Sequence, residues 1–170
     1  MKKVFFALCI LIFPQYGFSQ WTWQNPSPQG NTLSSVNFPN ANTGYAVGSF
    51  GTIIKTTNGG TTWDIISNGT SNWLKSVCFT NVNIGFAVRE GWGSKDNILK
   101  TTDGGLTWSY YSTGTYSWLN SVYFPEPSIG YVVGQGGTIF KTTDAGATWN
   151  SLSSGTNSWL LSVYFTNANG

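Results

Sequence analysis

The chain has 170 residues, of which 8% are charged and 16% aromatic, with 21 Gly and 9 Trp. So few charges exclude a disordered, highly charged chain, and the shortage of Ala, Glu, Lys and Leu argues against a helical one. Aromatics set among Gly, Ser, Thr and Asn predict short strands and tight turns.

Residues 1–19 carry Lys2 and Lys3, then an apolar run of ten from Val4 to Phe13, then the small residues Gly17 and Ser19. The run is too short to cross a bilayer as a helix. The pattern predicts a secretory signal peptide cut after Ser19, and so a secreted or cell-surface protein. A lipoprotein signal at Cys9 is the weaker alternative, because bulky Leu8 precedes it and the apolar run continues past it. Removing Lys2 and Lys3 from the eight basic residues leaves six, which balance the six acidic ones. The formal charge of +2 is therefore no argument for nucleic acid or an anionic membrane surface. No membrane span is expected after signal removal. Cys78 is the one remaining cysteine. It reads as a buried strand residue or, less simply, as an intermolecular bridge.

Residues 20–32 contain WTWQNPSPQGNT, with Trp23 ten positions before Leu33. Trp63 stands eleven before Leu74, so 20–32 reads as a leading outermost strand. From there the chain repeats. LSSVNF, LKSVCF, LNSVYF and LLSVYF begin at Leu33, Leu74, Leu119 and Leu160, spaced by 41, 45 and 41 residues. Each of the first three is followed by a Gly-aromatic segment (GYAVG, GFAVR, GYVVG), then by TIIKTT, NILKTT or TIFKTT. Val36 and Phe38 alternate with Ser35 and Asn37, the period of a strand. In the first unit, strands are expected near 33–38, 44–48, 52–57 and 61–67.

Four short strands in 41–45 residues make one β-propeller blade. The fold class expected is all-β: a propeller fragment of four-stranded antiparallel blades, with blade 1 at 33–73, blade 2 at 74–118 and blade 3 at 119–159. Residues 160–170 would start a truncated blade 4. Propellers have about four to eight blades, so the expectation is a fragment of a longer protein.

The third and fourth strands of each unit are joined by T-x-[DN]-x-G-x-T-W, at Thr56–Trp63, Thr101–Trp108 and Thr142–Trp149. A short side-chain oxygen from Asn58, Asp103 or Asp144 can accept backbone N–H bonds within the turn. Gly60, Gly105 and Gly146 supply backbone freedom. Trp63, Trp108 and Trp149 lay an apolar face over the hairpin. Asn58 is unable to act as a general acid, so the motif reads as a structural turn. This motif resembles the Asp box of sialidase-type (BNR) repeats. The whole unit resembles the photosystem II assembly and stability factor family, and more closely the secreted Bacteroidetes-type proteins that share its repeat. That resemblance covers 21–170. It implies a propeller fold. For the photosynthetic members it implies a chaperone-like role through a patch of arginines, and for the secreted ones a C-terminal type IX sorting domain. Here Arg89 is the single arginine.

No catalytic constellation is expected. There is no His, and one arginine does not make the arginine triad of a sialidase. Glu90 and Asp96 share a loop, but loop solubility explains them. No enzyme activity, cofactor or metal is predicted. That loop still breaks the repeat: eleven positions separate Arg89 from Lys100, against seven from Gly48 to Lys55 and from Gly134 to Lys141. It carries Arg89, Glu90, Trp92, Lys95 and Asp96. On the same end of the blades lie Trp73, Trp118 and Trp159, which either pack between blades or present a face to a ligand. Lys55, Lys100 and Lys141 are expected as solvated heads. The reading is a secreted, non-catalytic binding or scaffold module contacting protein or glycan through one face. The alternatives are an assembly factor like the photosynthetic relatives, and part of a glycosidase whose catalytic residues lie outside this chain.

Overall fold

A computed structural model describes residues 30–66, 70–91, 93–95 and 97–166. The expected signal peptide, most of the leading strand, Trp92, Asp96 and residues 167–170 lie outside the described residues.

Among the described residues, three antiparallel sheets of four strands follow one another along the chain. The first blade holds β1 (Leu33–Asn37), β2 (Gly44–Gly48), β3 (Ile53–Thr56) and β4 (Asp64–Ile66). The second holds β5 (Leu74–Phe79), β6 (Gly85–Arg89), β7 (Ile98–Thr101) and β8 (Ser109–Tyr111). The third holds β9 (Leu119–Glu126), β10 (Ile129–Gly134), β11 (Ile139–Thr142) and β12 (Asn150–Leu152). In each sheet the strands lie side by side in chain order. The first three strands of the first unit fall where expected. The fourth starts at Asp64 rather than 61, because the turn motif holds the backbone before it.

Strand position sets composition. β2 and β6 are buried along their whole length, which is why GYAVG and GFAVR read as continuous runs rather than alternations. The outermost strands β4, β8 and β12 are exposed for most of their length. The core lies between blades. One cluster joins Tyr45, Val47 and Ile53 of the first blade to Leu74, Val77 and Phe79 of the second. Another joins Phe86, Val88 and Ile98 of the second to Leu119, Val122 and Phe124 of the third. Cys78 is buried in it, as the sequence predicts, and burial pushes its thiol pKa up.

Each part of L-x-S-V-x-F then has a reason. The innermost pairing slips between the Leu and the Ser in every blade. Such a bulge re-aims the side chains that follow. Each Ser hydroxyl accepts an N–H from the next unit, at 3.3 Å from Val77 to Ser35, from Val122 to Ser76 and from Val163 to Ser121. The Phe ring lies against the Gly of the next strand: a Cβ on Gly44, Gly85 or Gly130 would stand 2.5 Å from Phe38, Phe79 or Phe124. Across each junction the Gly-aromatic ring stacks on that Phe. Tyr45 lies on Phe79 at 3.6 Å, Phe86 on Phe124 at 4.2 Å and Tyr131 on Phe165 at 4.3 Å.

The lysines depart from expectation. Lys55 Nζ donates to Gly104 O at 2.9 Å and Lys100 Nζ to Ala145 O at 2.8 Å, each reaching the turn motif of the next blade. Lys141 lies over the Tyr131 ring at 5.4 Å. The Lys55 and Lys100 ammonium groups are used in the packing because each meets a turn carbonyl of the next blade, which a cation satisfies well.

Candidate functional site

The two ends of the blades differ. At one end, every turn motif is tied to the hairpin between the first two strands of its blade: Gly59 N to Asn42 O at 2.8 Å, Gly104 N to Asn83 O at 2.9 Å, Ala145 N to Ser128 O at 3.0 Å. The interior of the motif is a closed network. The Thr101 hydroxyl donates to Asp103 Oδ1 at 2.8 Å and accepts Gly105 N at 2.9 Å. Asp103 accepts Thr107 N at 2.9 Å and the Thr107 hydroxyl at 2.6 Å. Asp144 makes the same bonds with Thr142 and Thr148. The Thr107 hydroxyl, with the Thr107 N–H and Thr101 behind it, holds the Asp103 pKa down to about 2. The equivalent bonds, led by the Thr148 hydroxyl, push Asp144 well below the usual carboxylate range. Asn58 keeps the geometry with its amide, accepting Thr62 N at 2.9 Å and donating to the Thr62 hydroxyl at 2.8 Å. Permanently ionised or amide groups locked this way do not exchange protons near neutral pH. Trp63, Trp108 and Trp149 stand edge-on to Phe38, Phe79 and Phe124.

The other end carries the loops between blades and the turns after each second strand. Here each second strand hooks the residue before its blade's first strand: Ser49 N donates to Thr32 O, Glu90 N to Trp73 O and Gln135 N to Trp118 O. The hook brings Trp73 beside Glu90 and sets Trp118 next along the row. Trp73 is 37% and Trp159 50% exposed. The Trp73 indole N–H donates to Ser34 at 2.6 Å, which fixes its ring. Lys75 Nζ lies 3.8 Å over Trp73 and 5.9 Å from Trp118 while pairing with Glu90 at 2.8 Å. Trp118 meets Trp159 edge-on at 5.7 Å. The result is a row, Trp73–Lys75–Trp118–Trp159, across three interblade loops. The three Trp residues both pack on neighbours and keep surface in solvent.

The long loop of the second blade splits its charges. Arg89 is buried, with its guanidinium over Tyr110 at 5.4 Å. It stands inside the blade and not on the open face. Lys95 is exposed and lies over Tyr116 at 5.1 Å. Trp92 and Asp96 are outside the described residues. Sequence reasoning missed three residues here. Lys75 occupies the variable position of L-x-S-V-x-F, where nothing marks it as special. Asn97 is fully buried and holds the loop down, donating to Thr115 O at 3.1 Å and Ser117 O at 2.9 Å. The departure from the Thr52 and Thr138 of the other units was the available signal. Phe50 lies next to this row, in the turn after β2, where the third blade has Gly136. Among the described residues, no three His, Cys, Asp or Glu side chains come together to hold a metal. No helix among them is long and apolar enough to cross a membrane.

A family model described as photosynthesis system II assembly factor YCF48 matches residues 14–115 and 65–157. None of the curated proteins compared matches the chain. Among solved structures, YCF48 bound to D1 peptide is 26% identical, with a TM-score of 0.62 over 73% of this chain and 41% of that one. YCF48 from Cyanidioschyzon merolae is 25% identical, with a TM-score of 0.62 over 75% and 38%. An ancestral GH74 enzyme is 22% identical, with a TM-score of 0.65 over 85% and 21%, a likeness that speaks to the fold alone. The chain thus spans about two fifths of the length of the YCF48 structures. With its three four-stranded blades and a family match over most of its length, this all-β propeller segment belongs to the photosynthesis system II assembly factor YCF48 family.

Proposed function

We propose that this chain is a non-catalytic propeller module, exported from the cell, that holds a protein or glycan against its loop end. The observation that supports this most is the row of Trp73, Trp118 and Trp159 with Lys75 set between the first two. Aromatic faces held by packing, half open to solvent and flanked by one ion pair, are the features of a contact surface. The turn motifs at the opposite end spend their polar groups internally and offer no acid or base. The first twenty residues support export through their basic start, short apolar run and small residues at the cut.

One specific likeness speaks for a protein partner, as for an assembly factor: the YCF48 structure that is bound to D1 peptide. An arginine-patch version of that role finds no support, since the single arginine is buried, with its guanidinium over Tyr110. The test is an array of glycans and peptides probed with the chain and with Trp118→Ala and Trp159→Ala. Each variant should lose about tenfold or more in affinity for whatever binds, with its melting temperature checked alongside. Unchanged binding by both folded variants would sink the assignment of this face.

A further inference from the structure

At the loop end, between the first and second blades, lies a cleft of about 410 Å³. Phe50 and Trp73 are its aromatic residues, and Ser49, Ser71, Asn72 and Glu90 line it with hydroxyl, amide and carboxylate groups. Its size is within the range of small-ligand sites.

Phe50 is the unexplained residue. Its φ is 55°, in the left-handed region that disfavours any residue with a Cβ. The matching turn of the third blade puts Gly136 there at φ 67°. Both turns follow an extended Gly and close with the N–H of a Thr, Thr52 onto Ser49 O and Thr138 onto Gln135 O. The turn itself therefore requires only a glycine. Phe50 adds strain, and it adds nothing to the core, because it is 74% exposed. Backbone strain kept for an exposed aromatic ring points to a use at the surface. Trp73 is its counterpart, fixed by the bond to Ser34 and by Lys75 over its ring.

Charge decides the ligand class. The carboxylate in the cleft, Glu90, is paired with Lys75 at 2.8 Å, which offsets its charge, so the cleft gives no preference to an ion. A carboxylate and an amide in one cleft suit the hydroxyl groups of a sugar, and apolar ring faces suit a flat C–H surface. We propose that this cleft binds a neutral hexose unit of a glycan. The sugar's C–H face lies against Phe50 and Trp73, and its vicinal hydroxyls donate to Glu90 and bond Asn72. A peptide fits less well, because it offers one N–H and one C=O per residue instead of paired hydroxyls. This rests on the reading of the loop end as the contact face and deepens it by naming the ligand.

The test is calorimetric titration of the full chain with neutral hexasaccharides built of glucose, mannose or N-acetylglucosamine. Phe50→Gly restores the residue that the third blade uses, so the variant should fold at least as well as the parent. At least one hexasaccharide should bind the parent, and Phe50→Gly should weaken that binding about tenfold or more. No binding by any hexasaccharide overturns the proposal. Equal binding by Phe50→Gly overturns the cleft alone if Trp118→Ala or Trp159→Ala still weakens binding. It removes the wider reading too if they do not. A peptide that binds in place of sugars, and depends on Phe50, overturns the hexose assignment and leaves the contact face standing.

Discussion

At the scale of single residues, the turn motif shows how a carboxylate is made structural. Thr101 both donates to Asp103 and accepts Gly105 N, so the acid and the hydroxyl together close the turn. Asn58 reverses one bond, donating to Thr62 where Asp103 accepts from Thr107. A threonine hydroxyl serves either direction. The swap of Asn for Asp was legible in the sequence and reads as a turn, and Asn58 accepts Thr62 N as Asp103 accepts Thr107 N. The double use of the preceding Thr was not, because it depends on where the hydroxyl turns. Asp103 has a folded pKa of about 2, below its ordinary 3.8. A depressed carboxylate contributes stability above its unfolded value and loses it as pH falls through the folded one. Stability carried by Asp103 is thus full above pH 4 and drains away toward pH 2; Asp144 is depressed in the same direction. Thermal melts from pH 7 to pH 2 should show this fall. Replacing both by Asn should flatten it, while Asp103→Ala should lower the melting temperature even at pH 7. An unchanged acid slope in the double Asn variant would show that the two carboxylates do not carry it.

At the scale of elements, the repeat is a joint more than a sheet. Ser of the innermost strand and the Gly-aromatic pair of the second act on the next blade, as do Lys55 and Lys100 of the third strands. The sequence marked these positions by repetition, which made the strands readable. It did not reveal their partners, since a contact with the next blade, far along the chain, leaves no local pattern. Hence Lys55 and Lys100 looked solvated and proved to be bridges. Tyr45 adds a bond that the second blade lacks: its hydroxyl is 3.0 Å from Gly104 O and 3.1 Å from Val82 O. Burial, with the negative Asp103 nearby, raises its pKa and keeps it a donor. Phe86 makes the same ring stack without a hydroxyl, so Tyr45→Phe should leave the fold intact. Gly104 O keeps Lys55 as a donor, and the loss falls mainly on Val82 O. Urea unfolding should show a cost of about 1 kcal/mol with an unchanged slope. A cost near zero would mean that water replaces the hydroxyl at the junction.

At the scale of the whole molecule, one motif meets different surroundings in each blade. Val36 and Val77 hold the same place in L-x-S-V-x-F, yet Val36 is 59% exposed and Val77 only 5%. The difference comes from what lies on the preceding side. Val77 is covered by the first blade, in the cluster with Tyr45 and Val47; among the described residues nothing covers Val36 to the same degree. Sequence alone gives the two valines one environment, and a single repeat cannot say which copy stands at an edge. Stability in a repeat array is a sum of terms between neighbours, so equal substitutions should have unequal effects. Val77→Ala removes two buried carbons and leaves a gap between blades, a loss of about 2 kcal/mol. Val36→Ala removes the same atoms from a solvated face and should change stability by less than about 0.5 kcal/mol. Denaturant unfolding of the two variants beside the parent measures both. If Val36→Ala costs as much as Val77→Ala, that face of the first blade is covered in solution. The chain would then hold a further junction of the kind seen between its blades.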